Sequence, residues 1–191
     1  MLKRMQRDAV LLSLMNEMRT NGSWCGETHV QKSAYFLQEL LNVPMNLEFI
    51  LYKHGPYSFD LTDAITAMQA DSLLEYQSRP PYGPSLLPTK TSQDFLNQYP
   101  KTLERYAKKV QFVAEKIGKM GVAKLERQAT ALYVTLNEKG TENSRANMIT
   151  VMKPHIKMDQ AEKALENVDA MIKEADEKGL RSICHSSRIS K

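Results

Sequence analysis

A short segment around one Gly-Pro pair, LYKHGPYS at residues 51–58, separates two predicted elements of different type. A β-rich run, Leu47 to Lys53, ends here, and a helical pattern begins directly after it. Gly55 can adopt backbone angles closed to other residues, whereas Pro56 fixes φ and lacks an N–H donor. Ser58 is a residue type that caps helix N-termini. The segment therefore predicts a sharp break between a strand and a helix.

Two helices are predicted before this segment. In the first, apolar residues between Leu2 and Met18 recur at helical spacing, and Asn21-Gly22 is a typical helix end. The second helix is predicted to start at Thr28, which stands in capping-box relation to Gln31. Its apolar stripe is wide, so we expect this helix to lie at the centre of the core.

A third helix and two further strands are predicted after the segment. The helix contains Leu61 to Met68, and the strands are Leu73 to Gln77 and Ser85 to Thr89, with a proline-rich connection between them. This order of elements is typical of a winged helix-turn-helix, in which the hairpin is the wing. The predicted fold class is therefore α+β and mainly α, with a winged-helix-like core and a small β-hairpin over residues 1–98.

The second half of the chain is predicted to be helical. Three apolar seams, which begin near Leu103, Val122 and Met158, alternate steps of three and four residues. They predict an antiparallel helical region over residues 99–178 that packs on the core as one structural unit. A flexible basic tail is predicted over residues 179–191. The seams can close within one chain or between two, so a homodimer is one of two open alternatives.

The composition is that of a globular protein, with 42% hydrophobic and 25% charged residues and a net charge of +4. The two cysteines, Cys25 and Cys184, share no short spacing, which predicts free thiols in a reducing cytosol. The sequence shows no signal peptide and no apolar run long enough to cross a bilayer. These features predict a cytoplasmic protein without a membrane partner.

The sequence contains no familiar catalytic motif. It has no nucleophile elbow, no phosphate-binding glycine loop and no zinc-binding HExxH helix. Its cysteines and histidines lack metal-ligand spacing. Asp60 and Asp63 follow Ser58, so we expect them to interact with a helix dipole rather than to act as an acid–base pair. We therefore predict a protein that is not an enzyme, with no catalytic residue, no metal ion and no cofactor.

Aromatic residues near predicted turns are candidates for a protein interface, because a few aromatic anchors often dominate such interfaces. The alternative is that each ring covers the edge of a small core. A rigid Gly-Pro turn would display two of these rings together with a histidine. The candidate partner-binding residues are Trp24, Tyr52, His54, Tyr57 and Tyr82.

Basic residues between positions 101 and 127 form a second candidate surface, which could contact nucleic-acid phosphates. The alternative is the solvated face of a helix pair. The helix predicted to enter a DNA groove carries Asp60 and Asp63 and no Lys or Arg, which counts against DNA binding. The candidate nucleic-acid-binding residues are Lys101, Arg105, Lys108, Lys109, Lys116 and Lys119.

Four segments resemble the YwgA-like proteins and the related SocA-like Panacea domain. They are QKxxYFL at residues 31–37, HGPYSxxL at 54–61, and, less specifically, LERxAT at 125–130 and KPH at 153–155. The resemblance covers about residues 5 to 175. His54 departs from the commoner pattern, in which a tyrosine often precedes Gly-Pro.

The resemblance implies a small, mostly helical, bacterial or phage-borne domain with a winged-helix-like core. Characterised Panacea members are similar in role to antitoxins or proteolysis adaptors, which bind a partner protein and carry no catalytic residues. We therefore expect a non-enzymatic protein-interaction module whose partner is a toxin or a regulatory protein. The alternative is a winged-helix transcriptional regulator that binds DNA.

Overall fold

The computed structural model describes residues 2–137 and 140–181. Within these ranges the chain is mainly helical and contains two hairpins of two antiparallel strands each. This confirms the predicted fold class, α+β and mainly α, while the winged-helix assignment stays a prediction. Residues 182–191, which form most of the predicted basic tail, lie outside the described residues, and Leu180 just before them is buried.

The helices are α1 (Arg4–Thr20), α2 (Glu27–Tyr35), α3 (Phe59–Ala70), α4 (Lys90–Leu96), α5 (Pro100–Ile117), α6 (Val122–Asn137), α7 (Glu142–Met152) and α8 (Met158–Glu177). A π-helical turn, Phe36–Leu40, continues α2. The strands are β1 (Ile50–Tyr52), β2 (Gly55–Tyr57), β3 (Leu74–Arg79) and β4 (Tyr82–Pro88).

The Gly-Pro segment forms a β-hairpin before the helix begins, which corrects the predicted direct break. β1 pairs antiparallel with β2, with Ile50 opposite Tyr57, and the turn lies between Tyr52 and Gly55. Gly55 has a φ of +84°, in the left-handed region that favours glycine. Pro56 is tolerated because one side of each strand in a two-stranded hairpin needs no ladder partner.

The start of α2 differs from the prediction because Gly26, rather than Thr28, is its N-cap. The Gln31 side chain is buried and forms a reciprocal pair with the backbone of Ser58. Ser58 N–H donates to Gln31 Oε1, and Gln31 Nε2 donates to the Ser58 carbonyl, both at 2.9 Å. Ser58 caps α3 as predicted, since its side chain accepts a hydrogen bond from Leu61 N–H at 3.2 Å.

The second hairpin confirms both strands predicted after α3, although β4 begins earlier, at Tyr82. Strand β4 is held to the loop before α2, because Leu86 N–H donates to the Cys25 carbonyl at 2.9 Å.

Burial raises the pKa of the Cys25 thiol to about 12, so the thiol is protonated and unreactive at neutral pH. Cys184 lies outside the described residues.

A single buried apolar cluster extends through both halves of the described chain. α1 packs along α5, α2 packs on α6, and α8 packs on both α6 and α7. Arg145 of α7 joins the last three helices, because it donates to Thr135 of α6 at 2.9 Å and to both carboxylate oxygens of Asp169 of α8 at 2.9 and 2.7 Å. This core places α2 and α6 directly beneath the first hairpin.

Candidate functional site

The five residues predicted to bind a protein partner lie in two clusters. Tyr52, His54 and Tyr57 belong to the first hairpin. Trp24 and Tyr82 lie together beside the second hairpin, with ring centroids 5.9 Å apart. The two clusters differ in how their rings are exposed and supported.

Three neighbouring aromatic rings lie on the first hairpin and at the start of α3, and we call them the aromatic surface: Tyr52, Tyr57 and Phe59. Their ring centroids lie 5.2 to 6.1 Å apart. Tyr52 is 54% exposed and Phe59 is 57% exposed, which is unusual for large apolar side chains in contact with one another. Phe59 was absent from the predicted set, although it lies off the apolar stripe of α3 and directly follows the cap residue.

Two buried lysines hold the backbone of the first hairpin. Lys32 of α2 is 2% exposed, and its Nζ donates to the Pro56 carbonyl at 2.7 Å. Lys153, which follows α7, is also buried and donates to the carbonyls of Tyr52 and, at 2.8 Å, Lys53. One lysine therefore fixes the second strand, and the other fixes the end of the first strand and the turn.

Helix α6 supports the hairpin through close packing and through one buried carboxylate. A Cβ atom on Gly55 would lie 3.1 Å from Thr130 Oγ1 and 3.5 Å from the Glu126 carbonyl oxygen. The Glu126 side chain is buried; its Oε1 lies 3.0 Å from His155 Nε2, and its Oε2 lies 3.6 Å from His54 Nδ1. The hairpin thus fits against α6 with no space for a side chain at Gly55.

The phenol of Tyr57 is fixed by two hydrogen bonds. Its hydroxyl donates to Glu27 Oε1 at 3.2 Å and shares a hydrogen bond of 2.7 Å with Thr62 Oγ1. Desolvation by burial raises the pKa of Tyr57, so the phenol stays neutral across the physiological range. The hydrogen bonds of its hydroxyl therefore fix the position of the Tyr57 ring, which also contacts the rings of Tyr52 and Phe59.

A cavity of about 270 Å³ opens beside the aromatic surface, and the side chain of Lys32 is part of its lining. Burial lowers the pKa of Lys32 to about 8, the nearby charge of Glu126 opposes this, and the charge of Lys153 adds to it. A substantial fraction of Lys32 is therefore neutral just above physiological pH. The cavity is lined by Glu27, Thr28, Gln31, Lys32, Tyr52, His54, Gly55 and Tyr57.

The second cluster is packed into the molecule more firmly. The Arg79 guanidinium lies 4.8 Å from the ring centroid of Trp24, and the indole Nε1 lies 3.2 Å from His29 Nε2. That histidine nitrogen also lies 2.9 Å from the Met120 carbonyl, and burial lowers the pKa of His29. These contacts favour a structural role for Trp24, whereas Tyr82 remains exposed.

The six candidate nucleic-acid-binding residues are not equally available. Lys109 donates to the Leu41 carbonyl at 2.7 Å, and burial lowers its pKa. Lys116 is paired with Glu174, with 2.5 Å between Nζ and Oε2. The remaining four side chains are exposed on or just beyond α5: Lys101, Arg105, Lys108 and Lys119.

Two kinds of feature are absent among the described residues: a cluster of metal-ligating side chains and a membrane-spanning helix. Across residues 2–137 and 140–181, no group of three or more His, Cys, Asp or Glu side chains is arranged to hold a metal ion. In the same ranges, no helix is both long and apolar enough to cross a membrane. Cys184 and His185 lie outside the described residues.

The four segments that carry the family resemblance meet at the first hairpin. Lys32, Gly55, Glu126, Thr130 and Lys153 come from those segments and lie in or against the hairpin. The hairpin, its buried support and the aromatic surface together form the candidate functional site. No protein-family model matches the chain, and a search of curated proteins found no match.

Proposed function

We propose that this protein is a non-enzymatic interaction module that binds a partner protein through the aromatic surface. The observation that carries the proposal is the cluster of three contacting rings in which Tyr52 and Phe59 are more than half exposed and Tyr57 is partly buried, beside a hairpin with a buried polar support. Large aromatic side chains often supply most of the energy of a protein interface. Contiguous exposed apolar side chains on a folded chain typically mark such a contact.

The buried support favours binding because it orders the hairpin before a partner arrives. Strands of three residues do not form a stable hairpin alone in water. Here Lys32, Lys153 and Gln31 bind the backbone on both sides of the turn and just after β2. A surface that is already ordered loses less conformational entropy on binding.

The specific role that we propose is antitoxin-like or that of a regulatory or proteolysis-adaptor protein. In each of these roles the chain holds a toxin or a regulatory protein and catalyses no reaction. The family resemblance supports this form of the proposal, and the aromatic surface supplies the contact that it requires. Affinity capture from the native host followed by mass spectrometry identifies the partner.

The double substitution Tyr52→Ala with Phe59→Ala is expected to weaken binding of that partner by at least about 100-fold, because each interface anchor contributes about 2 kcal/mol or more. Both rings are more than half exposed, so the free energy of unfolding should change little. Calorimetric titration of the purified partner measures the affinity, and urea unfolding measures the stability.

The matched control is Tyr76→Ala with Tyr82→Ala on the second hairpin, where the two rings are 53% and 66% exposed. This variant should bind the partner as tightly as the wild-type chain. Full affinity in the Tyr52/Phe59 variant would overturn the proposal. So would a loss of affinity in the control variant alone.

The alternative function, DNA binding by a transcriptional regulator, rests on the exposed basic residues of α5. If it holds, Arg105→Glu with Lys108→Glu should weaken binding to duplex DNA, and log K should fall with log salt by about 0.9 for each phosphate contact. Binding through the aromatic surface instead predicts that the wild-type chain and this variant bind duplex DNA equally weakly. A fluorescence titration across a series of salt concentrations distinguishes the two functions.

A further inference from the structure

The charges buried beneath the first hairpin are not balanced. Lys32 and Lys153 are both buried, and the buried carboxylate among them is that of Glu126. Within the described ranges, the ion pairs of Glu126 shorter than 4 Å run to His54 and His155, and not to either lysine. Two buried ammonium groups therefore face one carboxylate that is already in contact with two imidazoles.

Lys32 also has hydrogen-bonding capacity that the hairpin does not use. Its ammonium carries three N–H donors, and one of them binds the Pro56 carbonyl at 2.7 Å. The side chain lines the cavity, whereas Lys153 donates to two carbonyls of the hairpin and is not among the cavity-lining residues. A buried charge is stable only when it is paired and hydrogen-bonded. The cavity is the place where a missing partner for Lys32 can enter.

We propose that this cavity binds a carboxylate of an acidic side chain on the partner protein, with Lys32 as its counter-ion. The inference rests on the proposed function, since it names the chemistry by which that partner is anchored. A volume of about 270 Å³ lies at the small end of ligand pockets and suits one side chain rather than a cofactor. Tyr52 and Tyr57 border the cavity, so residues beside the acidic one would reach the aromatic surface.

Other charged and titratable groups also face Lys32. Glu126 on α6 attracts its proton and Lys153 repels it, while Glu27, His54 and Tyr57 line the cavity with it. Glu27 is exposed at the cavity mouth and hydrogen-bonded to Tyr57, so solvent screens its repulsion of a bound carboxylate. Among the charged groups that line the cavity, Lys32 is the buried one, and Gln31 uses its amide donors on Ser58 and Thr62.

The proposed pairing has a defined pH dependence. A carboxylate binds the protonated form of Lys32, whose pKa without ligand is about 8. Affinity should be constant below that pKa and should fall as pH rises through it, by about tenfold per unit until the pKa of the bound complex is reached. Because the bound anion favours the ammonium, it should also raise the pKa of Lys32.

The test compares propionate with propionamide, a neutral molecule of the same shape, on the full chain carrying isotope-labelled lysine. Propionate should shift the Lys32 side-chain resonance in a saturable way and raise the pKa of Lys32 by at least about one unit. Propionamide should do neither. Equal responses to the two probes, or a propionate affinity that does not fall above pH 8, would overturn the proposal.

Variants then assign the effect to one lysine. Lys32→Met should abolish propionate binding, measured by calorimetric titration, and should weaken partner binding at least about tenfold. Lys109→Met, which removes a lysine that donates to the Leu41 carbonyl away from the cavity, should keep propionate binding. A Lys32→Met chain that folds and still binds propionate would overturn the assignment to Lys32. If Lys32→Met does not fold, the comparison of propionate with propionamide on the wild-type chain decides whether the proposed carboxylate site exists.

The two proposals can fail separately. Loss of partner binding in the Tyr52/Phe59 variant, with full binding in Lys32→Met, would leave the proposed function standing and would refute the carboxylate anchor. Full binding in both variants would refute the proposed function, whatever propionate does.

Discussion

Replacing Gly55 with valine should destabilise the protein by roughly 2–5 kcal/mol. The φ of +84° places this residue in the left-handed region, which costs an ordinary L-residue about 1–2 kcal/mol and a β-branched one more. The new Cβ would lie 3.1 Å from the buried Thr130 Oγ1, and overpacking of this kind typically adds about 1–3 kcal/mol. Urea unfolding followed by circular dichroism measures the loss.

Gly83→Val provides the matched control on the second hairpin. A Cβ at Gly83 meets no atom within 4 Å among the described residues, and its φ is not positive. The same substitution there should change the free energy of unfolding by less than about 0.5 kcal/mol. Equal stability changes at the two glycines would contradict the close packing of the first hairpin on α6.

Replacing Gln31 with leucine should destabilise the protein by roughly 2–4 kcal/mol. The substitution leaves the buried Ser58 N–H without its acceptor, and an unsatisfied buried group costs about 1–3 kcal/mol. It also removes hydrogen bonds to the Ser58 carbonyl and to Thr62 Oγ1. Because Ser58 joins the hairpin to α3, partner binding at the aromatic surface should weaken as well. Urea unfolding and partner titration measure these two effects.

Gln93→Leu is the control for this substitution, since Gln93 is exposed on α4. Its free energy of unfolding should stay within about 0.5 kcal/mol of the wild-type value. A Gln31→Leu chain as stable as the Gln93→Leu chain would show that the reciprocal amide pair contributes little to the position of the hairpin.

Helical periodicity predicted most of the helices because it is a local signal. The stripe that ends at Met18 predicted α1, and the seam that begins near Met158 predicted α8. β2 was not predicted, because Gly55 and Pro56 are common where regular structure ends. Their strand forms through contacts from Lys32 of α2 and from Thr130 and Glu126 of α6, which are all distant from it in the sequence.

The candidate site was predicted only in part for the same reason. The Gly-Pro segment and two of the three rings were expected from local sequence, but the buried support depends on distant partners. Lys32 did carry one signal, since its helix was expected at the centre of the core, where little exposed face remains for a lysine. Glu126 and Lys153 could not be assigned to the site from local sequence, because only the packing of the helices brings them to the hairpin.

Amide hydrogen exchange of the wild-type chain, with and without the captured partner, tests the proposed binding surface most directly. Binding through the aromatic surface predicts that the partner slows exchange across residues 50–62, the first hairpin and the start of α3. Exchange in β3 and β4 should be unchanged. Slower exchange confined to α5, with no change across residues 50–62, would contradict the proposed function.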